Sequence, residues 1–175
     1  MKWITICLGA MMLASCATKV PFTQQTRDEY KLTEEELKSL QFYTSHDIVL
    51  QRWENQGKEK ATEDGTLKIR SGQSVEEVVI RAGTPGVVEK VVDGNRLAIS
   101  FEAGDHKFLV FGDTKKQDGR YTLQATEWVD NRAKVNYNDQ WYMTNTGSGS
   151  TYLVFKIKKL NQFRRKQQIA KGRKI

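Results

Sequence analysis

Val75–Phe101 reads VEEVVIRAGTPGVVEKVVDGNRLAISF and sets the fold class. Val75 to Ala82 is rich in Val and Ile, Gly83-Thr84-Pro85-Gly86 is a turn, Val87 to Val92 resumes the strand pattern, and Asp93-Gly94-Asn95 turns again. Leu97, Ile99 and Phe101 then alternate with Ala98 and Ser100, a period of two that lays one face on a core. Short strands joined by tight turns of Gly, Pro, Asn and Asp form an antiparallel sheet.

The same pattern runs outward in both directions. Downstream, Gly104-Asp105 turns, Phe108 to Phe111 is apolar throughout, and Asp118-Gly119 is a hairpin signal. Tyr121, Leu123 and Ala125 alternate, with Trp128-Val129 extending the run. Val135 and Tyr137 precede the turn Asn138-Asp139, Trp141 to Met143 is a short strand, Gly147-Ser148-Gly149 a loose turn, and Tyr152 to Ile157 the last strand. Upstream, Thr66 to Arg70 alternates, Asn55 to Gly65 is a charged hairpin connection, and Ile48 to Trp53 is a strand. Nine or ten short strands predict a mainly β domain over residues 46–160, a small antiparallel barrel or sandwich.

Before the strands the period is helical. Thr33 followed by Glu36 is a capping box, and Glu34, Glu35 and Glu36 suit the positive end of a helix dipole. Leu37, Leu40 and Phe42 or Tyr43 supply an apolar face, so a short helix is expected within 32–45. Residues 16–31 are polar apart from Val20-Pro21-Phe22 and read as a tether spanning roughly 20 Å if flexible.

The chain of 175 residues has length and apolar content for one core. Two cysteines, Cys7 and Cys16, are too few for a disulfide scaffold or a zinc site, and no apolar stretch reaches the roughly 18 residues of a spanning helix. Met1-Lys2 followed by the apolar run Trp3 to Ala14 has the n-region and h-region of a secretory signal peptide, residues 1–15. Leu13-Ala14-Ser15-Cys16 resembles the lipobox of bacterial lipoproteins. The resemblance implies a diacylglycerol on the Cys16 thiol, cleavage before Cys16 and acylation of the new amino group, with no other cofactor. An ordinary signal peptide with an incidental Cys is the plain alternative. In enterobacterial members an Asp after the Cys retains the protein at the inner membrane, and acidic runs there resemble the surface-export signal of Bacteroidota lipoproteins. Ala17 and Thr18 match neither, which implies an outer-membrane anchor facing the periplasm.

Two further resemblances bear on fold and family. Ile80 to Val91 followed by Leu97 to Phe101 resembles the strand–tight turn–strand of SH3-like barrels, a generic hairpin being the alternative. The start Cys16-Ala17-Thr18-Lys19-Val20-Pro21-Phe22-Thr23, with Gln41-Phe42-Tyr43 and Leu50-Gln51-Arg52, resembles small outer-membrane lipoproteins of Bacteroidota and implies no particular activity.

Charge is concentrated at the end. The whole chain carries 28 Lys and Arg against 21 Asp and Glu. Lys156, Lys158, Lys159, Arg164, Arg165, Lys166, Lys171, Arg173 and Lys174 fall within the last twenty residues, where there is no acid, so the rest is mildly acidic. The tail, 161–175, is expected to meet an anionic element: lipid phosphate, cell wall or a partner protein in the envelope. A secreted protein has no nucleic acid to meet. A solvated terminus without specific contacts is the alternative.

No catalytic constellation is legible. Ser45-His46-Asp47 contains the residue types of a nucleophilic triad, but neighbours on an extended chain point to opposite faces, so a turn-capping role is expected. His106 reads as a surface turn residue. No metal-ligand spacing or phosphate loop occurs. Trp53, Trp128 and Trp141 read first as core and rim, with an exposed aromatic surface for glycan or peptide as the alternative. The expected function is therefore a non-enzymatic binding or scaffold module of the cell envelope, tethered by Cys16. The alternatives are an envelope hydrolase or modifying enzyme, and an accessory subunit of a secretion or outer-membrane assembly machine. A polar cleft holding a perturbed acid would mark the enzyme. An exposed aromatic or apolar patch without one would mark the binder.

Overall fold

The structure, a computed structural model, describes residues 18–55, 73–113 and 118–161. The chain first lays down β1 (Lys19–Pro21), α1 (Gln24–Tyr30), α2 (Glu34–Ser39), β2 (Gln41–Thr44), β3 (Ile48–Asn55) and β4 (Gln73–Ile80). There follow β5 (Pro85–Val92), β6 (Arg96–Ser100), β7 (Phe108–Asp113), β8 (Tyr121–Leu123), β9 (Glu127–Val129), β10 (Arg132–Tyr137), β11 (Gln140–Thr144) and β12 (Leu153–Lys156). All described strand pairs are antiparallel. One sheet has the order β1-β12-β2-β5-β6-β7-β8 and the other β4-β3-β11-β10-β9.

The two sheets make a sandwich rather than a closed barrel. Side chains from both sheets meet in one core, which includes Phe42 of β2, Ile48 and Leu50 of β3, Leu97 and Ile99 of β6, Phe111 of β7 and Phe155 of β12. Hairpin turns are placed where the sequence put them. Asp93 and Gly94, Asp118 and Gly119, and Asn138 and Asp139 all take the positive φ that tight turns of this kind require.

Four connections carry the chain between sheets. Ser45–Asp47 joins β2 to β3, and Arg81–Thr84 joins β4 to β5. These two corners are bonded to each other: Gly83 N–H donates to Thr44 O at 2.8 Å, Thr44 Oγ1 to Arg81 O at 2.8 Å, and Ala82 N–H to Asp47 Oδ1 at 2.6 Å. Within the stretch 80–101 compared with SH3-like barrels, β5 and β6 pair as a hairpin, but Gly83-Thr84 lies at a corner between sheets, so β4 and β5 are not hairpin partners. At Gly86 a Cβ would lie 2.6 Å from Ile99 Cγ2 and 2.7 Å from the Phe101 ring, so only glycine lets β5 close on β6.

The expected tether is part of the fold. Lys19–Pro21 pairs with β12, Phe22 is fully buried, and α1 follows, capped by Thr23 Oγ1 and ended by Lys31 at φ 47°. Arg27 fixes α1 to the β5–β6 turn, donating to Asn95 O at 2.7 Å, Gly94 O at 2.9 Å and Tyr121 Oη at 3.0 Å. The expected helix within 32–45 is shorter. The Thr33–Glu36 capping box forms as read, but Leu40 is extended and Phe42 enters the core from a strand. The β domain therefore begins at Lys19 rather than at residue 46. The expected strand at 66–70 and its connection after Asn55 lie outside the described residues.

Phe22 packs edge-on against Phe42 and Phe155, with ring centres at 5.0 and 5.5 Å, and against Tyr121 at 4.9 Å. Phe22→Ala should therefore cost about 3–5 kcal/mol in chemical denaturation. A loss under about 0.5 kcal/mol would return this segment to a tether.

Candidate functional site

Strand parity decides what the outside of the five-stranded sheet presents. In β3, Ile48 and Leu50 are fully buried, so Val49, Gln51 and Trp53 point outward. Their cross-strand partners on β4 are Val79, Glu77 and Val75. On the other side of β3, Gln51 faces Met143 of β11. Met143 faces Lys134 of β10 and Trp141 faces Asn136. Arg132 faces Val129 of β9. One outer face thus collects Trp53, Val75, Val79, Val129 and Trp141, five of the exposed large apolar side chains of the described chain.

The tryptophans are not core. Trp53 is 45% exposed and Trp141 50%, which overturns the core expectation in favour of an aromatic surface. The parity that buries Ile48 and Leu50 was the signal that finds Trp53. Trp128 is also 45% exposed but belongs elsewhere. It pairs with buried Ala133, on the opposite side of the sheet, and its ring lies where a Cβ on Gly149 would come within 2.7 Å. Trp53 and Trp141 share a face, and Trp128 covers an edge.

Cations are set among the rings. The Arg132 guanidinium lies 5.1 Å from the Trp53 ring centre and the Lys134 ammonium 5.5 Å from that of Trp141. Arg132 also donates through Nε to Thr144 O at 2.7 Å and through Nη2 to Gln51 Oε1 at 3.1 Å. Gln51 in turn donates to Glu77 at 3.0 Å, and Lys134 reaches Glu127 at 3.5 Å. The arrangement is an amphipathic platform: flat apolar rings for stacking, cations and amides at the rings for a polar or anionic group.

The expected basic contact is divided by the fold. Lys156 is a strand residue of β12, with its ammonium 5.9 Å from the Tyr43 ring centre, and Lys158 and Lys159 follow it exposed. Cys16, Arg164, Arg165, Lys166, Lys171, Arg173 and Lys174 lie outside the described residues. Lys19, which sequence reasoning passed over, has its ammonium 3.7 Å from the same Tyr43 ring.

Polar groups elsewhere hold the fold together. Ser45 Oγ accepts from Tyr152 N–H at 2.9 Å and lies 2.8 Å from His46 Nδ1, while Asp47 receives the Ala82 N–H, so the three side chains form a corner rather than a relay. Glu76 is held below the usual carboxylate range by its bonds from Arg52 and then Tyr142. An open cleft of about 620 Å³ is lined by Gln41, Val87 and Phe101 and by Glu89, Glu102 and Asp105. Its Glu102 accepts from Tyr137 Oη, whose pKa is raised by burial and then by that bond. Among the described residues no group of three His, Cys, Asp or Glu side chains is placed to hold a metal ion. No helix among them is long and apolar enough to cross a membrane.

Compared with known proteins, the chain matches no family model, no curated protein and no solved structure. The geometry of its surfaces therefore carries the functional argument.

One exposed contact links the two sheets and titrates. His106 Nδ1, in the turn before β7, lies 2.7 Å from Asp139 Oδ2 in the β10–β11 turn. That bond, followed by the charge of Asp139, raises the imidazole pKa above 6.5, Asp105 adding to the shift and Lys90 opposing it. With the folded value raised, the contact contributes fully below 6.5 and is lost as pH climbs through the raised value. Asp139→Asn should bring the His106 titration midpoint, followed by ring-proton NMR, down toward 6.5. An unchanged midpoint would show that the pair does not form.

Proposed function

We propose that this protein is a lipoprotein of the bacterial envelope, held at the outer membrane by an acylated Cys16 and serving as a non-enzymatic binding or scaffold module. Residues 1–15 are the leader that directs it there. The reading rests for its anchor on the Leu13-Ala14-Ser15-Cys16 segment. The observation that carries the binding role is the outer face of the five-stranded sheet. Trp53 and Trp141 stand about half exposed on it, amid Val75, Val79 and Val129 and with Arg132 and Lys134 against the rings. Large apolar side chains exposed together on one sheet face, with polar groups among them, are what an interaction surface presents, and exposed Trp and Arg are the side chains that dominate such contacts.

The face meets a partner that offers apolar or aromatic surface together with polar or anionic groups for Arg132 and Lys134.

Two measurements test the reading. In cells, Cys16→Ala should abolish the acyl mass on the protein and its detergent-phase partitioning; retention of both would remove the anchor from the account. A photo-crosslinking residue at Val79 should give covalent adducts that vanish with the double change Trp53→Ser and Trp141→Ser, whereas one at exposed Val87 on the other sheet should give none. Each Trp change should alter folding stability by about 1 kcal/mol or less, since cross-strand pairs are worth that much. Adducts that survive both changes would displace the binding role from this face.

A further inference from the structure

The two ends of the described chain leave the body side by side. β1 runs antiparallel to β12 with Lys19 opposite Lys156, Val20 opposite Phe155 and Pro21 opposite Val154. Both lysines lie over one ring, Tyr43 of β2, at 3.7 and 5.9 Å. Lys158 and Lys159 follow in a helical turn and are exposed, and Leu160 is fully buried, which pins the exit point of the chain. Four cations thus occupy one end of the edge pair β1–β12.

Cys16 precedes Lys19 by three residues. At no more than about 3.6 Å per residue, its position lies within about 11 Å of Lys19, whatever course those residues take. Acyl attachment and cationic charge therefore converge on one end of the molecule, far closer together than a tether over 16–31 would place them.

We propose that this end, centred on Lys19, Lys156, Lys158 and Lys159, is a docking surface for an anionic phospholipid bilayer, the membrane in which the acylated Cys16 sits. The inference rests on the lipoprotein reading for the anchor but on the β1–β12 pairing for the surface. An acyl chain combined with a polybasic patch is a two-signal membrane attachment. Each Lys or Arg near an anionic surface favours the bound state about fivefold, and the effect fades beyond about 10 Å in 0.1 M salt. With only Ala17 and Thr18 between Cys16 and β1, Lys19 is held within about that distance of the anchor, and the body docks against the bilayer instead of swinging from it.

The test is lysine footprinting of the processed, full-length protein, purified from membranes and reconstituted into vesicles. The vesicles are phosphatidylcholine alone, or phosphatidylcholine with one quarter phosphatidylglycerol. A water-soluble amine reagent should label Lys19, Lys156, Lys158 and Lys159 at least threefold less on the anionic vesicles, with protection lost in 0.5 M NaCl. Lys90 and Lys134, on other parts of the surface, should label equally on both. Equal labelling of the four lysines on both vesicle types, with the protein still anchored, would overturn the proposal and leave the lipoprotein reading standing. Protection by isolated cell wall but not by anionic vesicles would overturn it too. A mass showing unmodified Cys16 would instead remove the anchor, and the footprint on added anionic vesicles would still decide the surface.

Discussion

The seven-stranded sheet depends on one residue of its first segment. Phe22 N–H donates to Leu153 O at 2.8 Å, while its carbonyl accepts from Tyr121 N–H at 3.1 Å. Its backbone therefore joins β12, near one edge of the sheet, to β8 at the other. Bridges between Thr23 and Arg120 and between Thr122 and Tyr152 continue the seam. The ring of the same residue fills the space between Phe42, Phe155 and Tyr121. Backbone pairing and aromatic packing at one position curl the sheet and cover its interior together. Arg27, in the helix that follows, ties α1 to the β5–β6 turn and to Tyr121 Oη.

Which parts of this were legible in the sequence follows from the range of the forces involved. Turns are local, and Asp93-Gly94-Asn95, Asp118-Gly119 and Asn138-Asp139 were readable because positive φ selects their residue types. The Thr33–Glu36 capping box was readable because both partners lie within one helical turn. β1 was not, because only one of its three residues is a good strand former and its partner β12 lies at the other end of the chain. Leu37 and Leu40 continued into Phe42 as a helical face until the backbone turned extended at Leu40 and re-aimed Phe42 from β2. Gly83 to Gly86 announced a turn, but whether a turn makes a hairpin or a corner depends on which sheet each flank joins, and that is a tertiary choice.

The tryptophans show the same division within the candidate site. Hydrophobicity alone assigns a Trp to the interior, yet the alternation Ile48, Leu50 in and Val49, Gln51 out was enough to place Trp53 outside. Trp141 follows from buried Tyr142 beside it. What alternation cannot supply is that β3 and β11 are neighbours, so that two outward tryptophans share a face. Trp128 makes the converse point. It is as exposed as Trp53, but its pairing with Ala133 turns it to the other side, against Gly149.

An exposed aromatic face carries a solubility cost unless something disciplines it, and the polar groups here do so without covering it. Arg132 is held by the Thr144 carbonyl and by Gln51 before it reaches Trp53, so its guanidinium is fixed by two hydrogen bonds rather than by the ring alone. Lys134 stands between Trp141 and Glu127, so the charge beside that ring is anchored as well. Charges placed in this way deter the face from collapsing onto copies of itself, because stacking two such platforms would bring like cations together and strip their water. They also leave the rings and cations preorganised, so a complementary partner would order few side chains on binding. A surface that was merely leftover core would show neither the shared hydrogen bonds nor two rings on neighbouring strands, β3 and β11, with cations reaching them from β10.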